Sequence, residues 1–393
     1  MEKRDTMSDD QKQPEQPGSN KFRETSIVNV MTSTSIHKHR TEFINTRLPV
    51  LEIALDVEKM TAHFEPLLAA LAAPGQTPRV TYAKLLAYKQ GNRGLIHYEV
   101  SGTTYGPSCI VYGKLYPELG QAERTCQTMQ SLHDDCFKSP LLGVPRALGC
   151  IAEMAMLVYV PAEGQMLSDA FGDSNALRYV DLAGEWLGML HTFPLKIEKH
   201  FRLATELVNV QAWAVLVGHK YPEFADDALK IAQHLQDHAS EMAFETQSPI
   251  HKDFHYGHIL VDRGLKVIDF DEMRLGDPNF DLAHFCANLH LLAYRVKESP
   301  YQFSTLQSAF LRSYARVTDW QPNERFVYFY AYTCLKIMKQ LCSMRGLRPR
   351  PEGDEQRKQV QLMLEQGVGS LPNATRQKLS SKFATMIMKD PNS

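Results

Sequence analysis

The sequence predicts an α+β protein of two lobes, a small β-rich lobe followed by a larger, mostly helical one. Three observations carry that prediction. Two helices and several β-prone runs crowd into the stretch before residue 161, helical periodicity dominates from Leu167 onward, and a short strand-like island interrupts the helices at 249–270. A chain ordered in this way has its natural ligand cleft between the lobes.

The elements follow in order. Asp56 caps a helix whose apolar residues Val57, Met60, Phe64, Leu67 and Leu68 recur at helical spacing until Pro74-Gly75 stops it. Val80 to Tyr88, Gly94 to Val100 and Cys109 to Tyr116 are β-prone runs separated by turn chemistry at 90–93 and 101–103, which makes a three-stranded meander. An amphipathic helix over Glu118 to His133 and strands at Val144 to Leu148 and Met154 to Val160 complete the small lobe. Helices are then expected at Ala176 to His191, Thr205 to Leu216, Ala225 to Phe244, Ala283 to Val296, Gln302 to Val317 and Arg325 to Ser343.

Residues 1–46 are polar and read as a disordered or loosely docked N-terminal extension, because they cannot bury enough surface to offset the entropy of ordering. The small lobe spans 47–161, the large lobe 162–346, and residues 347–393 form a C-terminal extension with a surface helix over Gln356 to Gln366. Both ends are expected to be mobile appendages.

Composition excludes several classes. The 393 residues are 44% hydrophobic, 22% charged and 9% aromatic, the profile of a globular protein with room for a full core. With 43 Lys+Arg against 45 Asp+Glu, nothing draws the chain to a polyanion, and no nucleic-acid partner is expected. Seven cysteines, an odd number without a C-x-x-C pair, read as reduced packing residues. The first 16 residues lack an apolar signal core and no apolar run reaches the roughly 18–20 residues of a membrane span, so the expected place is the cytoplasm, with no membrane partner.

Chemistry concentrates in His251-Lys252-Asp253-Phe254-His255-Tyr256-Gly257-His258 and in Ile268-Asp269-Phe270-Asp271, where charged residues interrupt apolar β-type runs. A carboxylate at the end of a buried strand is costly without a partner. Of the two carboxylates, Asp253 and Asp269, one has the chemistry to accept the proton of an attacking hydroxyl while the other holds a divalent cation that neutralises phosphate charge.

These two blocks, with Gly276-Asp277-Pro278 and Asp281-Leu282-Ala283, resemble the catalytic core of the aminoglycoside phosphotransferase and choline kinase family, whose fold is related to protein kinases. The resemblance spans about residues 47–345. It implies a bilobal protein-kinase-like fold and transfer of the γ-phosphoryl group of ATP to a small-molecule hydroxyl. Residue by residue, it implies Asp253 as the catalytic base, His251 beside it holding the loop by hydrogen bonds, and Asp269 as the magnesium ligand. Lys114 matches the lysine on the α and β phosphates, with Glu123 as its expected ion-pair partner and Glu118 as the substitute. Gly91 and Gly94 bound the turn over the phosphates, and Tyr159 lies on the strand that meets the adenine.

One departure stands out: His258 occupies the position of the family's second metal-binding residue, an asparagine. Imidazole prefers borderline metals to magnesium, so manganese use or a single-metal site is an expectation, and an impaired, pseudokinase-like regulator is the alternative. Lys252, beside the base, is expected to supply charge to the altered metal site. Between Asp281 and Arg345 there are eight Lys+Arg and four Asp+Glu, a balance that favours a sugar or sugar derivative over a polycationic aminoglycoside as acceptor. Aromatic residues Phe326, Tyr328, Phe329, Tyr330 and Tyr332 read as core.

Overall fold

The computed structural model describes residues 50–89, 93–172, 174–242, 247–297, 302–343 and 351–371. Two short helices, α1 (Leu51–Ala54) and α2 (Val57–Leu68), come first, and Asp56 caps α2 by accepting the backbone N–H groups of Glu58 and Lys59, both at 3.1 Å. Strands β1 (Arg79–Lys89), β2 (Arg93–Ser101) and β3 (Cys109–Leu115) form the meander. Helix α3 (Leu119–Ser131), the two-residue β4 (Leu142–Gly143), β5 (Arg146–Ile151) and β6 (Met156–Val160) follow. The sheet runs β1-β2-β3-β6-β5, antiparallel throughout.

Alternation explains this sheet. Along β2 the residues Gly94, Ile96, Tyr98 and Val100 are buried and their neighbours are not, which is the period of a strand with one covered face. That face packs on Met60, Phe64 and Leu68 of α2, and the Tyr98 hydroxyl donates to the Ala54 carbonyl at 2.6 Å. In register, Lys114 of β3 lies between Leu95 and Leu157, and Tyr112 pairs with Tyr159.

The large lobe begins with β7 (Gln165–Met166) and α4 (Leu167–Ala170), then α5 (Ala176–Thr192), α6 (Leu203–Leu207), α7 (Val210–Lys220) and α8 (Ala225–Asp237). The short strands β8 (Ser248–Ile250), β9 (Ile259–Val261), β10 (Leu265–Val267) and β11 (Arg274–Gly276) form the island, paired as β4-β10-β9-β7 and β11-β8. Helices α9 (Asn279–Arg295), α10 (Phe303–Thr318), α11 (Glu324–Cys342) and α12 (Gly353–Gly369) close the lobe. Gly184 lets α5 lie directly on α10, since a Cβ there would run into the Phe310 carbonyl oxygen. Among the described residues no helix is long and apolar enough to cross a membrane.

Several boundaries differ from expectation. The helix expected over 205–216 breaks into α6 and α7, α8 stops at Asp237, and α9 starts at Asn279, a turn early. The largest difference is at the C-terminal end. Helix α12 is no appendage: Val360, Met363 and Leu364 are buried in the large-lobe core. Its polar residues disguised this, because Gln356 and Gln359 are buried too, Gln356 donating to the Leu341 carbonyl at 2.8 Å and Gln359 accepting from Arg295. Gly91 lies outside the described residues.

Candidate active site

The loop between β8 and β9 is held from two sides. Asp281, fully buried in the first turn of α9, accepts the backbone N–H groups of His251 at 2.6 Å and Lys252 at 2.8 Å, and the His191 Nε2–H at 3.2 Å. The fully buried His251 donates its Nε2–H to the Ile268 carbonyl at 3.1 Å, which ties the loop to the segment that carries Asp269. Phe254, next to Asp253, stacks on Trp186, and Trp186 stacks in turn on Phe137. Asp253 is therefore placed by both its neighbours. Lys252 and Asp269 both have left-handed backbone, with φ of 69° and 71°, a conformation that non-glycine residues adopt only under constraint.

Asp253 is about one-third exposed and is surrounded by nitrogen. His284 Nε2 lies 3.3 Å and Lys336 Nζ 4.0 Å from Oδ1, while His258 Nδ1 and His255 Nε2 lie 3.6 and 3.8 Å from Oδ2. Burial pushes the Asp253 pKa up, but the His284 hydrogen bond and the fields of His255, His284 and His258 outweigh it and hold the carboxyl well below the usual range. Oδ2 has these imidazoles beyond hydrogen-bond distance and is the oxygen free to take a proton.

Two backbone groups decide the tautomers of the loop histidines. His258 Nδ1 lies 2.9 Å from the Asp253 carbonyl oxygen, which only accepts, so Nδ1 carries the hydrogen and Nε2 presents a lone pair 3.6 Å from Asp269 Oδ2. His255 is the reverse. Its Nδ1 accepts the Gly257 N–H at 2.9 Å, which leaves the hydrogen on Nε2, facing Asp253. Asp253, His255 and His258 lie close enough together to be read as a metal-ligand set. The His255 tautomer argues against that set, and the donor pair that fits a divalent cation is Asp269 Oδ2 with His258 Nε2.

Across the cleft, Lys114 Nζ lies 2.9 Å from Asp269 Oδ1 and 2.6 Å from Asp271 Oδ2. Asp271, almost fully buried, also accepts from the Tyr116 hydroxyl at 2.6 Å and pairs with Arg93 at 2.5 Å, and Arg93 reaches Glu272 at 3.2 Å. Burial lowers the Lys114 pKa, but the charges of Asp269 and Asp271 more than reverse it, and Lys114 is a permanent cation. Burial likewise disfavours the charged form of Asp269, and the charge and hydrogen bond of Lys114 overcome it to keep the carboxyl ionised. Lys114, Arg93 and Arg274, which also reaches Glu272 at 3.2 Å, balance three carboxylates here and leave the cluster no spare positive charge. A polyphosphate entering this cluster needs the charge of a bound divalent cation, in agreement with the Asp269 and His258 donor pair.

Several expectations are corrected here. Glu123 is exposed on α3, and Lys114 takes Asp269 and Asp271 as its partners instead. Glu118 is the residue before α3 and is also exposed. Lys252 does not serve the metal side: its Nζ pairs with Glu206 Oε1 at 2.7 Å. Gly94 is buried in β2 opposite Leu115, and Tyr159 stands on β6 beside the Tyr112 ring, within the electrostatic reach of Lys114.

The profile of the phosphotransferase enzyme family matches residues 114–320, from Lys114 through both blocks that carry Asp253 and Asp269. The chain belongs to the phosphotransferase enzyme family. The chain is also similar to solved structures. Amicoumacin kinase hAmiN, in complex with AMP-PNP, Ca2+ and Ami, is 14% identical with a TM-score of 0.50 over 86% of this chain and 97% of its own. Choline kinase LicA from Streptococcus pneumoniae is 15% identical with a TM-score of 0.48, over 80% of this chain and 100% of its own. A choline/ethanolamine kinase family protein from Mesorhizobium loti is 13% identical with a TM-score of 0.47, over 83% and 100%. The fold is kinase-like. No curated protein matches the chain in sequence.

In this phosphotransferase, sequence reasoning missed Arg93, Tyr116, Glu206, His284 and Lys336, and gave Asp271 no role of its own. His284 had a signal: it lies three residues after Asp281, on the same face of α9. Asp271 had one as well, two residues after Asp269. Lys336, on α11 and 83 positions from the base, had none.

Proposed function

We propose that the chain transfers the γ-phosphoryl group of ATP to a hydroxyl of a small molecule, a sugar or sugar derivative rather than a polycationic aminoglycoside. The observation that carries this reading is the arrangement of Asp253 and Asp269 on either side of His258, each with a carboxylate oxygen 3.6 Å from one of its ring nitrogens. A proton acceptor and a phosphate-side carboxylate are thereby held at the spacing of one imidazole.

Asp253 Oδ2 orients the acceptor hydroxyl. The oxygen–phosphorus bond forms as the bond from the γ phosphorus to the β–γ bridging oxygen breaks, the proton passes to Oδ2, and ADP leaves. Lys114 binds the phosphates, kept in place by Asp271, which Arg93 and Tyr116 also hold. Asp269 and His258 would hold magnesium or manganese, which would supply neutralisation of the triphosphate charge. Asp281, His251 and Trp186 act through the loop as positioning residues. Holding reactants in place supplies most of the rate in such a reaction.

Titration calorimetry of ATP and GTP with magnesium, with manganese and with neither tests the proposal. Metal-dependent nucleotide binding, together with loss of phosphoryl transfer in Asp253→Ala at retained nucleotide affinity, supports it. Absence of nucleotide binding under every condition overturns it in favour of a pseudokinase-like regulator.

A further inference from the structure

Asp253 has two dissimilar sides. Its Oδ2 faces His258 and, beyond it, Asp269, the side where a nucleotide would lie. Its Oδ1 faces His284 and Lys336, which belong to α9 and α11, helices of the large lobe. An acceptor whose hydroxyl reaches Asp253 from the side opposite the nucleotide meets Lys336.

Lys336 sits among charges that do not cancel it. The nearby carboxylate, Glu206 on α6, already has both oxygens engaged, Oε1 by Lys252 at 2.7 Å and Oε2 by the Tyr332 hydroxyl at 3.0 Å. Lys339, one turn along α11, lies over the Trp213 ring with its Nζ 5.5 Å from the centroid. Three ammonium groups, of Lys252, Lys336 and Lys339, therefore share the patch with two carboxylates, of Glu206 and Asp253. The nearest carboxylate of Lys336 is the base itself, at 4.0 Å, too far for a hydrogen bond. His255, His258 and His284 are the other titratable groups facing Asp253; burial lowers the pKa of His255 and His284, and the Lys336 charge acts on both in the same direction.

The patch is reachable. The side chains of Lys336, Lys252 and Glu206 are each about one-fifth exposed, beside the one-third exposed Asp253. Holding a long cationic side chain in a half-buried position costs desolvation and rotamer freedom, which an arriving anion offsets.

We infer that Lys336 is the anchor of an oxyanion subsite, and that the natural acceptor is a hydroxyl compound bearing a carboxylate or phosphate a few atoms from the hydroxyl that reacts. The inference rests on the phosphotransferase reading and deepens it. The Lys336 ammonium binds the anion and takes no part in the bond changes, and a cationic alcohol is repelled from the same place. Lys252 and Lys339 add field without direct contact being required.

The test uses matched probes that differ in charge. Glycerol, glycerate, glycerol 3-phosphate and ethanolamine are titrated by calorimetry into the full chain saturated with a non-hydrolysable ATP analogue and magnesium or manganese. At least one anionic probe is expected to bind about 10-fold or more tightly than glycerol, as for a charge-assisted hydrogen bond, with ethanolamine weakest. Glycerate alone marks a carboxylate site, and glycerol 3-phosphate alone a phosphate site. Lys336→Met, its folding checked by thermal melting, is expected to bring the anionic and neutral probes within about two-fold of each other, and Lys336→Arg to keep the preference. Glycerol binding as tightly as both anions, no probe binding, or a preference that survives in Lys336→Met overturns the inference. Failure of the nucleotide analogue to bind counts against the phosphotransferase reading instead, and the same probes titrated without nucleotide still decide whether Lys336 selects anions.

Discussion

His258 donates its Nδ1–H to the backbone carbonyl of Asp253 at 2.9 Å and turns its Nε2 lone pair toward Asp269, 3.6 Å away. One ring thereby connects the loop of the base to the carboxylate on the phosphate side, and its tautomer is imposed by a backbone group.

His258→Asn replaces the imidazole with a harder oxygen donor. The ratio of activity with manganese to activity with magnesium is expected to fall about 10-fold in this variant, measured as kcat/KM for ATP with each metal. An unchanged ratio removes His258 from the metal site.

Asp271→Asn deprives both Lys114 and Arg93 of a buried charge partner. Nucleotide affinity is expected to fall about 10-fold and folding stability by about 3 kcal/mol, read from nucleotide titration and chemical denaturation. Glu123→Gln, by contrast, is expected to leave nucleotide affinity within about two-fold, because Lys114 does not pair with it.

Stability should depend on pH through His284. Burial, with the Lys336 charge, lowers its pKa below the 6.5 of an unperturbed histidine in spite of the Asp253 hydrogen bond. Below pH 6.5 the unfolded chain therefore binds more protons than the folded one, and stability falls as pH drops, by at most about 1.4 kcal/mol per pH unit for each such histidine. Thermal melts of His284→Gln between pH 5 and 7 are expected to show a shallower slope. His251 and His255, depressed by burial as well, keep it above zero.

Trp186→Ala should cost about 3–5 kcal/mol of folding stability, because the indole fills the space between Phe137 and Phe254 with ring centroids at 4.7 and 5.6 Å. Trp186→Phe keeps an aromatic ring between them and costs less, losing the Nε1–H bond to the Gly143 carbonyl, about 1 kcal/mol, and part of the indole volume. Since Phe254 adjoins Asp253, kcat should fall further in the alanine variant than in the phenylalanine one.

Local pattern determined a large part of this protein. The meander, the helix capped by Asp56 and the helical large lobe follow from side-chain periods that each segment carries in itself, and the loops of Asp253 and Asp269 stand out because charges interrupt apolar strands. The tertiary structure decided who pairs with whom. Lys114 could be matched by sequence distance to Glu123, yet it folds against Asp269 and Asp271, more than 150 positions away, because β3 faces the island across the cleft. Lys336 and His284 come beside Asp253 through the packing of α9 and α11, and α12 enters the core with its buried glutamines bonded to other helices. Periodicity reports which face of an element is covered; only the packed chain reports by what, because ion pairs and buried hydrogen bonds between distant segments leave no mark on local spacing.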